Sequence, residues 1–158
     1  MNKLVEINGI KYNTYASLQD AIVYNNAIVN STWANKEEID QARLLVMATR
    51  KIDSYNYSGE KVSENQELKF PRVMANGKTS DDEVLTNLCC QIATYYLING
   101  TSSGSDSGNI LSQMKAYQIG DLHLTLKDDA QLDLSGLDDF IKQALKDWLM
   151  SQSMEIWL

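Results

Sequence analysis

The sequence predicts a mainly α-helical fold, a small bundle of about four helices with a β-hairpin or extended arm near residues 113–127. Apolar residues recur at three- and four-residue spacing in four separate segments, which is typical of amphipathic helices. After residue 113 the pattern changes to an alternation that is typical of strands. With 158 residues, 44% of them hydrophobic, the chain is long enough for a sizeable core, and we expect residues 1–158 to form one domain.

The first part of the chain predicts a short extended piece and a helix. Residues 4–9 read as the extended piece and end in a turn. A helical stripe of apolar residues then predicts a first helix over about residues 18–29. Ser17 can cap this helix, and Asp20 follows three residues on, near the positive end of the helix dipole. Trp33 begins the next segment and is interpreted as an anchor at a helix start.

The second helix has the clearest signal. Glu37 and Glu38 lie in its first turn, where negative charge is favourable. One apolar face at three- and four-residue spacing predicts the buried side. Its members are Ile39, Ala42, Leu45, Val46, Thr49 and Ile52.

Residues 56–79 lose this periodicity and contain the only proline of the chain, Pro71. Loops of this length inside a compact domain are usually functional or disordered. Phe70 and Pro71, with Leu68 nearby, indicate a loop that docks on the core. A flexible crossover is the alternative.

A capping box from Ser80 to Glu83 opens the third predicted helix. Gly100 can supply a left-handed stop at its end. Residues 101–108, rich in Ser and Gly, are expected to form a flexible loop. The predicted buried face of the helix comprises Val84, Leu85, Leu88, Ile92, Ala93, Tyr96 and Leu97.

Two alternating runs flank Gly120-Asp121, a two-residue hairpin signal. An isolated hairpin is only marginally stable in water, so its apolar face must pack on the chain's own helices or on another subunit. Both possibilities remain open at this point. The candidates for contacts between subunits are Tyr117, Ile119, Leu122 and Leu124.

A last amphipathic helix is predicted, with Ser135 as its cap and Asp138 completing the capping box. Residues 150–158 then form an apolar C-terminal tail, which docks either on the chain's own core or on a partner. Aromatic side chains dominate the energetics of interfaces. The candidate partner contacts are therefore Trp148, Met154, Ile156 and Trp157. The stripe of the helix itself comprises Leu137, Ile141, Ala144, Leu145, Trp148 and Leu149.

The inventory of reactive residues argues against catalysis. The only histidine, His123, lies in a strand-like run, whereas Cys89 and Cys90 lie in an apolar helical stretch. A zinc site needs about four Cys or His ligands at characteristic spacings. We therefore expect small buried thiols, no metal site, no cofactor and no enzymatic activity. The chain also has no apolar run of the roughly 18 residues that a membrane span needs, and its start has no signal-peptide pattern.

The net charge of −7 lies in the second half of the chain. Residues 1–80 carry ten Lys or Arg against nine Asp or Glu, whereas residues 81–158 carry four against twelve. Non-specific DNA binding depends on neutralising phosphates with Lys and Arg. The composition therefore makes a general DNA-binding function a poor candidate.

The order of the motifs resembles the tailed-phage head-tail adaptor family, also called connector or head completion proteins. Members are often described as DnaT-like single-stranded-DNA-binding proteins. The resemblance covers roughly residues 12–126. Its most specific part is the series Ala48-Thr49-x-x-Ile52-Asp53-x-Tyr55-x-x-x-Gly59 followed by Gln66-x-Leu68-x-Phe70-Pro71-Arg72.

The resemblance implies a structural virion protein. Such an adaptor forms a ring of typically twelve copies under the portal, extends the DNA channel and provides a platform for neck or tail proteins. The expected partners are the portal protein, neck or tail proteins and further copies of the chain, with genomic double-stranded DNA passing through without specific binding. We expect it in the virion neck, after assembly in the cytoplasm of a bacterial host.

The resemblance also suggests roles for individual residues. Arg72 matches the motif and is a candidate for pairing with a carboxylate at a subunit interface, since Arg forms bidentate pairs. An intrachain salt bridge that holds the loop is the alternative. The aromatic and apolar residues of the C-terminal segment become candidates for contacts with the portal or neck. Part of the acidity of residues 121–147 is expected to face the channel, where like charge lets DNA slide.

An alternative function follows from the DnaT-like description, that of a replication accessory that binds single-stranded DNA. This function needs a basic groove with stacking aromatic side chains. The basic residues of the first half are interleaved with almost as many acidic ones. The candidates for such a groove are Arg43, Arg50, Lys51, Lys61, Lys69, Arg72 and Lys78.

Overall fold

The computed structural model describes residues 3–100 and 135–150, which form a mainly α-helical fold, as predicted. Within these ranges it contains four α-helices, a 3₁₀ turn and two small antiparallel sheets of two strands each. In chain order the elements are β1 (Lys3–Ile7), β2 (Ile10–Thr14), α1 (Leu18–Asn26), the 3₁₀ turn (Trp33–Asn35), α2 (Glu38–Ile52), β3 (Glu60–Lys61), β4 (Arg72–Val73), α3 (Asp82–Asn99) and α4 (Ser135–Ala144).

Several predicted features lie outside the described residues and stay predictions. These are the Ser/Gly-rich loop at 101–108, the hairpin near 113–127, the environment of His123 and the tail beyond Met150. Among the described helices, none combines the length and the apolar character that crossing a membrane requires.

The start of the chain is a hairpin rather than a single extended piece. β1 and β2 pair antiparallel, with Lys3 opposite Thr14 and Ile7 opposite Ile10. Asn8 (φ 52°) and Gly9 (φ 81°) form the turn, and positive φ at both central residues is the requirement of a two-residue type I′ hairpin. The Asn-Gly pair was therefore a hairpin signal that the sequence prediction did not use.

The helical caps confirm part of the prediction and correct the rest. Ser17 and Asp20 form the predicted capping box of α1, although this helix ends at Asn26 rather than at residue 29. α3 is capped by Asp81, whose side chain accepts a hydrogen bond from the N–H of Glu83. The Ser80 hydroxyl is not the cap, because it accepts the backbone N–H of a loop residue instead.

Helices α2 and α3 pack against each other at the centre of one hydrophobic core. Leu45 and Ile52 of α2 and Ile92 of α3 are completely buried, and α4 adds Leu137 and Ile141. Val84 in the first turn of α3 and Ala144 at the end of α4 were assigned to apolar faces but are on the surface. Each lies in a terminal turn of its helix.

The loop at residues 56–79 docks on this core, as predicted, and it includes the short strands β3 and β4. The Phe70 side chain is 2% exposed. Its ring lies edge-on to those of Tyr57, Tyr15 and Trp148, at centroid distances of 4.6, 6.2 and 6.0 Å. Phe70 therefore anchors the loop against Tyr15 and Trp148, and it also packs on Tyr57 at the start of the loop itself.

Candidate functional site: a clamped loop and its surroundings

Arg72 lies in the loop at residues 56–79 and holds it through hydrogen bonds to other loop residues. Its Nε donates to the carbonyl oxygen of Ser58 (2.9 Å) and Nη1 to that of Lys69 (3.1 Å). Nη2 donates to the carbonyl oxygens of Gly59 (2.8 Å) and Tyr57 (3.3 Å). The rigid fork of the guanidinium suits several acceptors at once. Arg72 thus has the intrachain role given as the alternative, with carbonyl oxygens as its partners.

Asp53 joins the loop to the N-terminal hairpin. Its carboxylate accepts the hydroxyl of Tyr15 (2.5 Å) and the backbone N–H of Lys69 (3.3 Å). The same Tyr15 oxygen accepts the N–H of Phe70 (3.0 Å). Burial, together with the nearby Asp53 carboxylate, raises the pKa of Tyr15, so the phenol stays protonated and can donate. Burial also raises the pKa of Asp53 above its ordinary value.

Gln66 and Gly59 complete the arrangement. The Gln66 side-chain amide donates to the carbonyl oxygens of Leu68 and Pro71, both at 2.9 Å. Gly59 has φ 78°, and a Cβ at this position would lie 2.7 Å from the carbonyl oxygen of Val73. Glycine is therefore required here by conformation and by space. We call Tyr15, Asp53, Gln66, Phe70 and Arg72 the loop clamp.

The loop also attaches α4. The N–H of Ser58 donates to the carbonyl oxygen of Trp148 (2.7 Å). Asp138 pairs with Lys51 (2.6 Å) and accepts the hydroxyl of Tyr55. Burial would raise the pKa of Asp138, but the hydrogen bonds from Lys51 and Tyr55 outweigh it and lower this pKa. Asp138 therefore ties α4 to the body; the capping box predicted with Ser135 stays a prediction, because the Ser135 side chain lies outside the described part of the chain.

The nine predicted interface residues fall into two groups. Arg72 belongs to the loop clamp, and Trp148 is only 7% exposed because it packs on Phe70 in the chain's own core. Little of that indole is left for a partner. The other seven lie outside the described residues, and their roles stay predictions: Tyr117, Ile119, Leu122, Leu124, Met154, Ile156 and Trp157.

Most of the basic residues proposed for a DNA groove are held by contacts within the chain. Lys51 and Lys78 pair with carboxylates of the α4 segment, and Arg43 pairs with Asp40 at 3.1 Å. Lys61, Lys69 and Arg72 donate to backbone carbonyl oxygens. Within the described residues, Arg50 is exposed and has no such contact. Six of the seven residues are thus distributed over several different structural contacts.

The cysteines have the character that their helical setting predicted. Cys89 and Cys90 are both free and buried. Burial raises the pKa of Cys89 to about 11, which keeps the thiol protonated and a poor nucleophile. In residues 3–100 and 135–150, no group of three or more His, Cys, Asp and Glu side chains is arranged to hold a metal ion.

Comparison with known families gives a match over most of the chain. The model of a family described as "Putative DnaT-like ssDNA binding protein" matches residues 7–157, nearly the whole chain. No curated protein and no solved structure gives a significant match.

Arg72→Lys tests the loop clamp. One ammonium group cannot reach the carbonyl oxygens that the guanidinium serves together, and partly buried acceptors left without a partner cost up to about 1–3 kcal/mol. We expect urea denaturation to show that Arg72→Lys lowers the free energy of unfolding by an amount of that order. Arg50→Lys, the matched exchange at an exposed site, should change the free energy of unfolding by less than about 0.5 kcal/mol. Equal stability of the two variants would contradict the clamp.

Asp138→Asn tests the attachment of α4 through its pH dependence. The pKa of Asp138 is lower in the folded than in the unfolded chain, so its carboxylate stabilises the fold above the unfolded pKa, about 3.9. This stabilisation is lost as the pH falls through the folded pKa. Because the ion pair of Asp138 with Lys51 is partly exposed, we expect Asp138→Asn to lower the free energy of unfolding by less than about 1 kcal/mol at neutral pH.

The difference between the wild type and Asp138→Asn should shrink in denaturation curves recorded below about pH 4. Asp147→Asn removes the carboxylate of a more exposed ion pair, that with Lys78, and serves as the control. A difference for Asp138→Asn that stays constant with pH would show that the ion pair is not the origin of the effect.

Proposed function

The chain belongs to the family of DnaT-like ssDNA-binding proteins, and on that premise we propose that it is a structural virion protein, a head-tail adaptor. It would form a ring, typically of twelve copies, beneath the portal. Its partners in this role are the portal protein and the neck or tail proteins, in the neck of the virion. It catalyses no reaction in this proposal.

The observation that best supports this proposal is the structural role of the motif. The residues that carry the resemblance to adaptors include Asp53, Gln66, Phe70 and Arg72, and all four belong to the loop clamp. Their polar groups are engaged within the chain. The motif therefore specifies a rigid scaffold, which suits a protein whose task is to hold others in fixed positions.

The charge distribution is compatible with a DNA channel. Each copy carries a net charge of −7, and a ring multiplies this value by the number of copies. A like-charged wall lets DNA pass without adhering. The proposal thus assigns to the acidic second half of the chain a role in the passage of genomic DNA.

Binding of single-stranded DNA is the second candidate function, and the description of the family names it directly. That description says nothing about virions. One surface of the structure can contribute to this function. Arg43, Met47 and Arg50 lie within roughly 60° of arc on the outer face of α2, because successive residues of a helix are separated by about 100°. We call these three residues the α2 stripe.

A titration of labelled single-stranded DNA separates the two functions. In the adaptor proposal, the purified chain binds an oligonucleotide weakly by fluorescence anisotropy, and Arg43→Glu/Arg50→Glu behaves like Lys11→Glu/Lys146→Glu. The second pair makes the same change of charge at exposed sites elsewhere. Tight, salt-sensitive binding that only the first pair abolishes would favour the DNA-binding function and overturn the adaptor proposal as a complete account.

Removal of residues 151–158 tests the role of the apolar tail. The shortened chain keeps Met150, whose N–H donates to the carbonyl oxygen of Asn56 (3.3 Å). We therefore expect the shortened chain to keep its melting temperature but to assemble poorly with its portal or neck partner. Co-purification with the portal protein and negative-stain imaging measure this. An unfolded protein, or normal assembly, would show that the tail does not have this role.

A further inference from the structure

A cavity of about 430 Å³ opens between the N-terminal hairpin, α1, the clamped loop and the start of α3. This volume lies in the range of roughly 300–1,000 Å³ that is typical of binding pockets. Its apolar wall comes from Val23, Tyr24, Leu68, Phe70, Pro71 and Leu85.

Several polar side chains of the cavity, on the hairpin, on α1 and at Thr86 of α3, are paired within the chain. Lys3 forms an ion pair with Asp20 at 2.5 Å. The Thr14 hydroxyl donates to a backbone carbonyl oxygen at 2.7 Å, and the Thr86 hydroxyl does so at 2.9 Å. Pockets for small polar ligands present a few polar groups that converge on the ligand. With these polar groups already engaged, the inner part of the cavity suits an apolar side chain better.

The rim of the cavity on the α3 side is negatively charged. Asp82 and Glu83 line it and are exposed in the first turn of α3. Complementary charge across an interface steers the encounter and fixes the register of the partners. The occupant that fits this site is therefore an apolar side chain flanked by cationic ones.

The chain itself presents such a segment, the α2 stripe. Met47 is partly exposed between Arg43 and Arg50, and the Arg43 side chain is 52% exposed. Methionine is flexible and fills irregular apolar spaces well. The walls of the cavity come from the hairpin, α1, the loop and α3, so the α2 stripe of the same copy stays available while the cavity is filled.

We propose that the α2 stripe of one copy docks into this cavity of the next copy, with Met47 on the apolar wall and the two arginines facing Asp82 and Glu83. Such a contact joins two different surfaces and is head-to-tail, so it closes into a ring when the rotation between copies allows it. The inference rests on the proposed function in that an adaptor ring requires a repeating contact between copies.

Disulfide cross-linking of the full chain tests this contact. The native thiols, Cys89 and Cys90, are buried, and Val23 on the cavity wall is 59% exposed. Under mild oxidation, Val23→Cys/Met47→Cys should give a ladder of dimers, trimers and larger species in non-reducing gels. Each single variant has one accessible thiol per copy and should give dimers at most.

Reversing the charges on both surfaces tests whether the arginines of the α2 stripe contact the acidic rim of the cavity. Adding Arg43→Glu/Arg50→Glu to the cysteine pair should remove most of the ladder, and further addition of Asp82→Arg/Glu83→Arg should restore it. Lys11→Glu/Lys146→Glu should leave the ladder unchanged. Melting temperatures show that every variant is folded. A folded cysteine pair without a ladder, or a ladder insensitive to the charge reversal, would overturn the proposal.

The outcome is distinguishable from failure of the proposed function. Assembly with the portal protein without a ladder would leave the adaptor proposal in place and refute this contact. A charge-dependent ladder from a chain that does not bind the portal protein would support the contact and refute the adaptor. If the reversal on α2 abolishes binding of single-stranded DNA but leaves cross-linking intact, the stripe binds nucleic acid and the proposed contact is wrong.

Discussion

A long loop that lies against a hydrophobic core must find partners for its backbone polar groups, because a buried carbonyl or N–H without a hydrogen bond is costly. The loop at residues 56–79 meets this requirement mainly with side chains. Arg72 and Gln66 serve six backbone carbonyl contacts between them, and Tyr15 accepts the N–H of Phe70. Phe70 can then stay buried, and its ring supports Trp148 from the segment after α4. The positions of α4 and of the apolar cavity wall follow from this one arrangement.

The same arrangement connects the fold with the proposed function. The motif of residues 48–72 fixes a loop on a helical body, with its polar groups engaged within the chain. Among its described residues, that body presents the apolar cavity with its acidic rim and the α2 stripe. Their chemistry is complementary, which suits a protein that repeats around a ring. In the DNA-binding alternative, the α2 stripe contacts phosphates, and the cavity has no assigned role.

Local patterns predicted the parts of the fold that local interactions determine. The periodicity of α2 and the capping box at Ser17 appear in the structure as expected, and so does the docking of Phe70. The hairpin at Asn8-Gly9 follows from the same kind of signal, because Asn-Gly favours a two-residue hairpin turn, although only an extended piece and a turn were predicted there. The cap of α3 was not predictable locally, because Ser80 and Asp81 both qualify and the contact with the Arg72 N–H decides between them. The partners of the Arg72 side chain were not predictable either. Every residue carries a backbone carbonyl group, and the sequence does not show which of these groups an arginine side chain reaches.

Hydrogen exchange in the wild-type chain tests the central claim, that the motif clamps the loop, most directly. The amides of Ser58, Phe70 and Arg72 donate to Trp148, Tyr15 and Ser80, whereas Glu64 lies exposed in the same loop. The account predicts that the three bonded amides exchange at least about a hundredfold more slowly than that of Glu64, in keeping with the protection of core elements. Exchange of all four at the rate of an unstructured peptide would contradict it.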